Sequence, residues 1–268
     1  MSIYISDKPA AEEKEVAAES GHWYDWDGQP RYTLIGANGK ERNTTLRDAR
    51  KLGLLPSVTT IIRCAAAQGL ERWKNEQVLL AALTLTRAPA ETDESFIGRV
   101  LTDSRETGRA AADRGTALHG AVERWLLSGG KESQGVWQRH VDATYKACME
   151  QGVDLLKGEP ERSFAHHYGY AGKIDWSSDA VVLDFKSKSV IDKKVKGYDE
   201  YVMQLAAYDV GLGSPGRRLL NVFVGCDDCN VKIVEWDAED AIHGFACFTA
   251  LLSFWKNKTR YFPEKPHA

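Results

Sequence analysis

Between Tyr170 and Lys186 the chain carries two short apolar runs, each ending on charge, and this pattern limits the fold more than any other segment. Tyr170-Ala171-Gly172-Lys173-Ile174 closes on Asp175, and Ser177-Ser178-Asp179 reads as a turn. The β-branched run Ala180-Val181-Val182-Leu183 then leads into Asp184, Phe185 and Lys186. Apolar runs bounded by turn residues predict two strands joined as a hairpin, which brings Asp175 and Asp184 together. Asp184 and Lys186 lie two apart on one strand, so their side chains share a face. Two carboxylates and an ammonium on one face are poor core material. They suit a site that holds a divalent cation beside a phosphate. Alone, D-x-K is a weak signal, because a strand-end Asp or an exposed strand Lys is ordinary. The flanking sequence decides.

The chain before this segment reads as helical. Residues 1–20, rich in Ala, Glu and Lys, read as a flexible or loosely helical lead. His22 to Leu34 predicts a small hairpin, and Asn38-Gly39 a second turn. Thr45 can cap a short helix that Gly53 ends, and Pro56-Ser57 opens another over 58–62. Helical spacing continues through Leu70, Trp73, Val78, Leu80 and Leu83, then from Phe96 to Leu101. Arg114 to Leu127 is strongly helical and stops at Gly129-Gly130, and a further helix spans Val136 to Gln151. Strands follow over 161–168, 170–176 and 180–187, then a helix from Tyr198 to Val210. Strands at Leu219–Val224 and Val231–Trp236 precede a last helix over 238–256. A helical first half followed by β-β-β-α-β-β-α predicts an α/β core with a helical lobe.

Two helical segments add side chains to the Asp–Lys pair. In Arg114-Gly115-Thr116-Ala117-Leu118-His119-Gly120-Ala121-Val122-Glu123, Leu118, Val122 and Trp125 face a core, while His119 and Glu123 share the neighbouring face. A lone helical His is more often a surface or satisfied core residue than a ligand. Gln204 and Tyr208, also four apart, share one helix face and read alone as an ordinary amphipathic pair. Gly172, three before Asp175, marks a place where the backbone needs room for a partner.

In order, the chain shows Gly115-Thr116-x-x-His119, Gly172-x-x-Asp175, Asp184-x-Lys186 and Gln204-x-x-x-Tyr208. This series resembles the RecB-like branch of the PD-(D/E)xK nuclease superfamily, which includes the Cas4-like nucleases and the mitochondrial genome maintenance exonucleases. The resemblance covers residues 114–208. Pro56-Ser57-Val58-Thr59 adds a weaker likeness to the mitochondrial type. The resemblance implies a restriction-endonuclease-like mixed central sheet flanked by helices, with a helical N-terminal lobe. It implies one nuclease domain over 21–268, with residues 21–152 as the lobe and 153–268 as the catalytic core. His119, Asp175 and Asp184 would bind Mg²⁺ or Mn²⁺, with the Phe185 carbonyl as a further ligand. Lys186 would orient or help deprotonate the attacking water and balance phosphate charge. Gln204 and Tyr208 would contact DNA or support the site. Ile174 stands where this branch often has Pro. The upstream Glu of the family could be Glu159 or Glu161, at loose spacing and with a minor role at best.

The resemblance implies a metal-dependent DNA exonuclease of phage or bacterial recombination, repair or replication. Its substrate would be DNA with a free end, single-stranded or an end-processed duplex, and a recombination or replication protein could partner it. The alternatives are a structure- or sequence-selective endonuclease and a DNA-binding assembly subunit without catalysis. The absence of a helix-turn-helix signal lowers the sequence-selective reading. The intact His119, Asp175, Asp184 and Lys186 argue against the inactive one. A net charge of −3 excludes a wholly basic protein but not a local basic patch. Lys186, Lys188, Lys193, Lys194 and Lys196 form one directly after the site, placed to follow a phosphate backbone.

No apolar run is long enough to cross a membrane, and residues 1–20 show no signal-peptide core, so a cytoplasmic protein is expected. Five scattered Cys fit that compartment. Some relatives hold an iron–sulfur cluster through one upstream and three downstream Cys. Cys64, Cys226, Cys229 and Cys247 match the count but not the compact downstream grouping. Cys226-x-x-Cys229 sits in a turn between strands, and Cys148 and Cys247 sit in helical runs where Cys acts as a small hydrophobe. No cluster is expected, nor zinc, for which the C-x-x-C has no second pair.

Overall fold

Local capping chemistry sets the first elements of the computed structural model, which describes residues 21–65 and 68–265. The lead expected over 1–20 lies outside the described residues. Helix α1 (Leu46–Leu52) starts at Thr45, whose hydroxyl and the Asp48 carboxylate cap each other's backbone, and ends at Gly53 with left-handed φ 67°. Helix α2 (Val58–Ile62) is capped by Ser57. The hairpin expected over His22–Leu34 forms in short, as a tight reversal in which Asp25 N–H donates to the Gln29 carbonyl and Arg31 N–H to the Trp23 carbonyl around an antiparallel bridge from Tyr24 to Pro30. Its first strand, β1 (Trp23–Tyr24), takes its longer pairing from β4 (Leu55–Pro56). Burial decides this: Trp23, Tyr24 and Leu55 are all nearly fully enclosed. The Asn38-Gly39 turn does close a hairpin, between β2 (Thr33–Ile35) and β3 (Glu41–Asn43).

Helix α3 (Gln68–Thr84) packs along α4 (Asp93–Leu127), a single helix of 35 residues where the spacing predicts two separate segments. Thr92 caps it, and Asp93 and Glu94 complement the dipole of its first turn. The stretch between the two segments is polar on every side and lacks the apolar stripe that marks a helix. No residue between Val100 and Gly115 is buried, so helix propensity, strongest at Ala110, Ala111 and Ala112, carries the helix through. Helix α5 (Gln138–Glu150) leads into the sheet.

The five-stranded sheet has the order of the chain: β5 (Glu159–His166), β6 (Tyr170–Ser177), β7 (Val181–Lys188), β8 (Arg218–Gly225) and β9 (Val231–Trp236). All neighbours are antiparallel except β7 and β8, which run parallel because α6 (Asp199–Gly211) is the crossover between them. Helix α7 (Ala238–Thr259) packs against α6. The fold is thus a mixed α/β sheet flanked by helices, as the pattern predicts.

Strand alternation separates two cores. Leu183 and Phe185 of β7, with Leu220, Val222 and Val224 of β8, pack with Leu118, Val122 and Trp125 of α4. Val182 and Leu219 face the other way, among Leu205, Ala206 and Tyr208 of α6 and Phe248 and Leu252 of α7. The sheet therefore lies between α4/α5 and α6/α7. Asp184, one residue on from Leu183, is delivered to the α6 face.

Candidate active site

The hairpin strands part where the charged residues begin. Strands β6 and β7 pair only at Trp176↔Leu183 and Ser177↔Val182. One step further on, Asp175 and Asp184 would face each other, and there the backbone ladder stops. The Asp175 carboxylate replaces the missing rung, accepting the Phe185 N–H at 2.8 Å. Strand β7 keeps its ladder on the other edge, where Asp184 is the register partner of Asn221. The site thus opens at a fork in the sheet, with each carboxylate fixed to one prong.

Asp184 is only 2% exposed and its oxygens are fully engaged. Oδ1 accepts from Gln204 Nε2 at 2.8 Å and lies 3.0 Å from Lys186 Nζ. Oδ2 accepts from Asn221 Nδ2 at 2.9 Å and is 2.8 Å from the same ammonium. Gln204 is held in turn: its Oε1 accepts from Lys186 at 3.1 Å and its Nε2 is 3.0 Å from the Tyr208 hydroxyl. Trp236 Nε1 donates to Asn221 Oδ1 at 2.8 Å. These side chains form one closed buried network, in which each lost partner strands another.

Asp175 belongs to a second group. His119 Nε2 lies 3.4 Å from its Oδ1. Donor atoms of His119, Glu161 and Asp175 all fall within 4.8 Å of one another, and among the described residues no other group of three or more His, Cys, Asp and Glu side chains converges so. Glu161 lies between the cross-strand pairs Pro160↔Trp176 and Arg162↔Ile174, which sets it beside Asp175. Its backbone is left-handed, φ 56°, a strained conformation for a non-Gly residue and a kind that collects at functional sites. Lys173 pairs with its carboxylate. Glu159 is exposed at the strand end, outside this group.

Electrostatics distinguish these groups. Asp175 beside it raises the His119 imidazole to about 9, against the opposing effect of burial. Burial pushes Asp175 up, yet the charge and hydrogen bond of His119, together with Lys186 and the Phe185 N–H, hold the carboxyl below its usual range. Burial also raises Asp184, with Asp175 adding to the shift and Lys186 opposing it. Glu161 is raised by burial against the pull of Lys173. Burial would lower Lys186, but Asp184 keeps its ammonium above the ordinary value. Three carboxylates share a dry corner in which burial penalises the anionic form of each. That setting fits a cation, and an oxygen-rich donor set with one imidazole suits Mg²⁺ or Mn²⁺.

The His119 shift has a consequence for stability. A pKa raised from 6.5 to about 9 stabilises the fold fully below about pH 6.5, and the gain is lost as pH rises through about 9. Chelator-treated protein should therefore lose melting temperature between these limits, and His119→Gln should shrink the loss. An unchanged loss in the variant would show that the His119–Asp175 pair contributes nothing.

Helix α4 lies against β7 because of glycine. A Cβ at Gly115 would meet Ser187 Oγ at 2.4 Å. This approach carries Thr116, His119 and Glu123 to the wall of a cavity of about 410 Å³, with Phe185, Lys186 and Tyr201 opposite. Gly172 also answers its sequence reading, since a Cβ there would meet the Tyr208 ring at 2.8 Å and the Phe164 ring at 2.9 Å. Gln204 and Tyr208, expected to contact DNA or to support the site, are both buried and hydrogen-bonded to each other. Lys193, Lys194 and Lys196 are exposed on the loop between β7 and α6, and Lys188 is half-buried. Burial and the adjacent Lys186 lower the Lys188 ammonium.

Asn221, Trp236 and Glu161 are the site residues that sequence reasoning missed or undervalued. A lone Asn within the apolar run Leu219–Val224 was the available signal. Asp184 is not in the His119–Glu161–Asp175 group, and its oxygens face Lys186, Gln204 and Asn221 instead. The cysteines stand apart from all of this. Cys64 packs beside one core cluster and Cys226 beside the other. Cys229 Sγ is 3.3 Å from His140 Nε2. Cys247 is exposed, contrary to its expected place among apolar side chains. Cys148 is buried, which pushes its thiol up to about 12 and makes it unreactive. Anaerobically purified protein should contain far less than one iron per chain. About four irons with broad absorbance near 400 nm would move Cys64, Cys226, Cys229 and Cys247 into a ligand set.

No helix among the described residues is long and apolar enough to cross a membrane. No family model matches the chain, and no curated protein does. Among solved structures, the protein SSO0001 matches at 12% identity over 68% of this chain and 86% of its own, with a TM-score of 0.29. The alkaline exonuclease LHK-Exo from Laribacter hongkongensis matches at 16% identity over 71% of this chain and 98% of its own, with a TM-score of 0.28. At TM-scores this low neither likeness bears on what the chain does.

Proposed function

We propose that this chain is a metal-dependent nuclease that hydrolyses DNA phosphodiester bonds from a free end. The observation that carries the reading is the juxtaposition at the sheet fork: a His119–Glu161–Asp175 donor group beside the buried Asp184–Lys186 pair, with His119 and Lys186 lining one cavity. His119, Glu161 and Asp175 would hold Mg²⁺ or Mn²⁺, and Asp184 would join them, with the Phe185 carbonyl, on giving up one of its bonds to Lys186, Gln204 or Asn221. The bound cation would screen the phosphate charge and lower the pKa of a water molecule. Lys186 stays charged, and so acts as a fixed positive group that orients the nucleophile and balances charge as it builds on phosphate oxygens. Asp184 and Gln204 hold that ammonium in place. Tyr208 and Asn221 hold Asp184 and Gln204. His119 must shed its proton before it can ligate, which ties metal uptake to proton release.

The exonuclease reading rests on the motif series over residues 114–208, and a strand would enter the cavity between helix α4 on one side and Tyr201 of α6 on the other. End-labelled DNA should be cut with Mg²⁺ or Mn²⁺ and spared with EDTA, whereas covalently closed circles should resist. Robust cleavage in metal-free buffer would sink the metal mechanism. Efficient cutting of closed circles would replace the exonuclease with the endonuclease alternative.

A further inference from the structure

Three cavities meet at the N-terminus of α6. Tyr201 lines the site cavity, a second of about 340 Å³ and a third of about 850 Å³. Tyr198 lines the second and third. Trp73 of α3 faces them across the second. Both tyrosine rings are half-buried, with part of each ring facing the cavities. Their centroids are 5.6 Å apart at 73°, so the two rings present faces in different directions. Lysines bracket them. Lys186 Nζ is 5.1 Å from the Tyr201 ring, and Lys188 and Lys196 are 5.9 Å and 5.8 Å from the Tyr198 ring.

Tyr198 is not explained by the fold. It occupies the N-cap position of α6, yet its side chain caps nothing. A Ser, Asp or Asn there would accept from the first-turn backbone and stabilise the helix relative to a non-capping residue. An aromatic at a cap position, beside two lysines and at the junction of two cavities, has the composition of a base-stacking surface. Glu200 lines the same two cavities, so the lining is mixed in sign rather than a continuous phosphate track. Ring faces, more than charge, are what it offers.

We propose that Tyr198, with Tyr201 and Trp73, is a stacking platform for the bases of a single-stranded nucleic acid on its way to the Asp184–Lys186 site. The platform rests on the nuclease reading and names its substrate as unpaired strand. Bases in a duplex stack on each other and cannot offer their faces, whereas unpaired bases stack on aromatic side chains without regard to sequence. Lys188 and Lys196 would steady the flanking phosphates.

Fluorescence anisotropy in EDTA, where the strand stays uncut, tests this. The probes are a labelled thymidine strand of roughly 12 nucleotides, within the span that such surfaces cover, the same strand with abasic sites, and a blunt duplex. The wild type should bind the intact strand about tenfold tighter than the abasic strand or the duplex, at the lower end of the range for one stacked base. Tyr198→Leu should lose about tenfold on the intact strand and nothing on the abasic one, while Tyr198→Phe and Tyr198→Trp keep the affinity. Melting temperatures check that Tyr198→Leu folds. If it does not, the abasic comparison in the wild type decides alone. Equal binding of abasic and intact strands overturns the platform, as does a folded Tyr198→Leu that binds like the wild type. Base-dependent binding with no cleavage in Mn²⁺ would keep the platform and retire the nuclease. Cleavage with base-independent binding would do the reverse.

Discussion

Replacing Lys186 by Ala should lower DNA cleavage by about a thousandfold, the cost of removing one fixed electrostatic group from a transition state. Binding of DNA in EDTA should stay within a few fold, because phosphate contacts elsewhere carry most of the affinity. The reasoning begins with charge. Lys186 is 23% exposed along its side chain, and its ammonium sits 2.8 Å from Asp184 and 3.1 Å from Gln204. Burial opposes that charge and Asp184 restores it, so the ammonium persists at neutral pH. It is positioned before any substrate arrives and needs no reorganisation as charge develops. Asp184→Asn keeps the shape of its partner but removes the carboxylate that holds the ammonium, and should lose cleavage to a similar extent. Asp175→Asn should follow, since it takes away a donor of the His119–Glu161 group. His119→Ala should be milder, because a water can replace one of several ligands. Single-turnover cleavage of end-labelled DNA, paired with anisotropy in EDTA, separates chemistry from binding. Near wild-type turnover by Lys186→Ala would end the assignment.

What could be read in the sequence was whatever lies within one element. The apolar period of 2 in Val181–Lys188 puts Asp184 and Lys186 on one face, and they lie on one face. The caps at Thr45 and Ser57, and the stops at Gly53 and Gly129, mark helix ends by local chemistry alone. The i, i+4 pair Gln204 and Tyr208 is a hydrogen-bonded pair. What was illegible depends on distant partners. Tyr24 looked like half of a local hairpin, but its strand pairing and its core contacts come from Leu55, some thirty residues on. The polar middle of α4 gave no periodic signal, because it is helical by propensity and buries no residue between Val100 and Gly115. Glu161 could not be weighed, because its value comes from a cross-strand register with Asp175 and from one left-handed backbone angle. The expected Asp175–Asp184 pairing was sound in register but stops one step short. Side chains take over from backbone there, and that substitution is what makes a site from a hairpin.

Asn221→Leu should be the most damaging single change outside the charged residues, and should separate stability from chemistry. Asn221 is fully buried on β8, in parallel register with Asp184. It donates to Asp184 Oδ2 and accepts from Trp236 Nε1, so Leu strands both partners at once. An unmade bond to a buried group costs about 1–3 kcal/mol, and more where the group is charged. Two such losses, on a chain of this size, predict a fall in melting temperature of roughly 4–24 °C, at about 2–4 °C per kcal/mol. Cleavage should fall as well, because Asp184 loses the hydrogen bond that fixes it across from Lys186. The double variant Asn221→Leu/Trp236→Phe removes the stranded indole N–H together with its acceptor. It should recover part of the lost stability, since replacing both partners by apolar groups costs less than orphaning one. It should recover none of the activity, because Asp184 remains short of a donor. A double variant that regains activity along with stability would mean that Asn221 serves only the packing of β8 and β9. In that case Gln204 and Lys186 suffice to hold Asp184, and the buried network does not reach as far as Trp236.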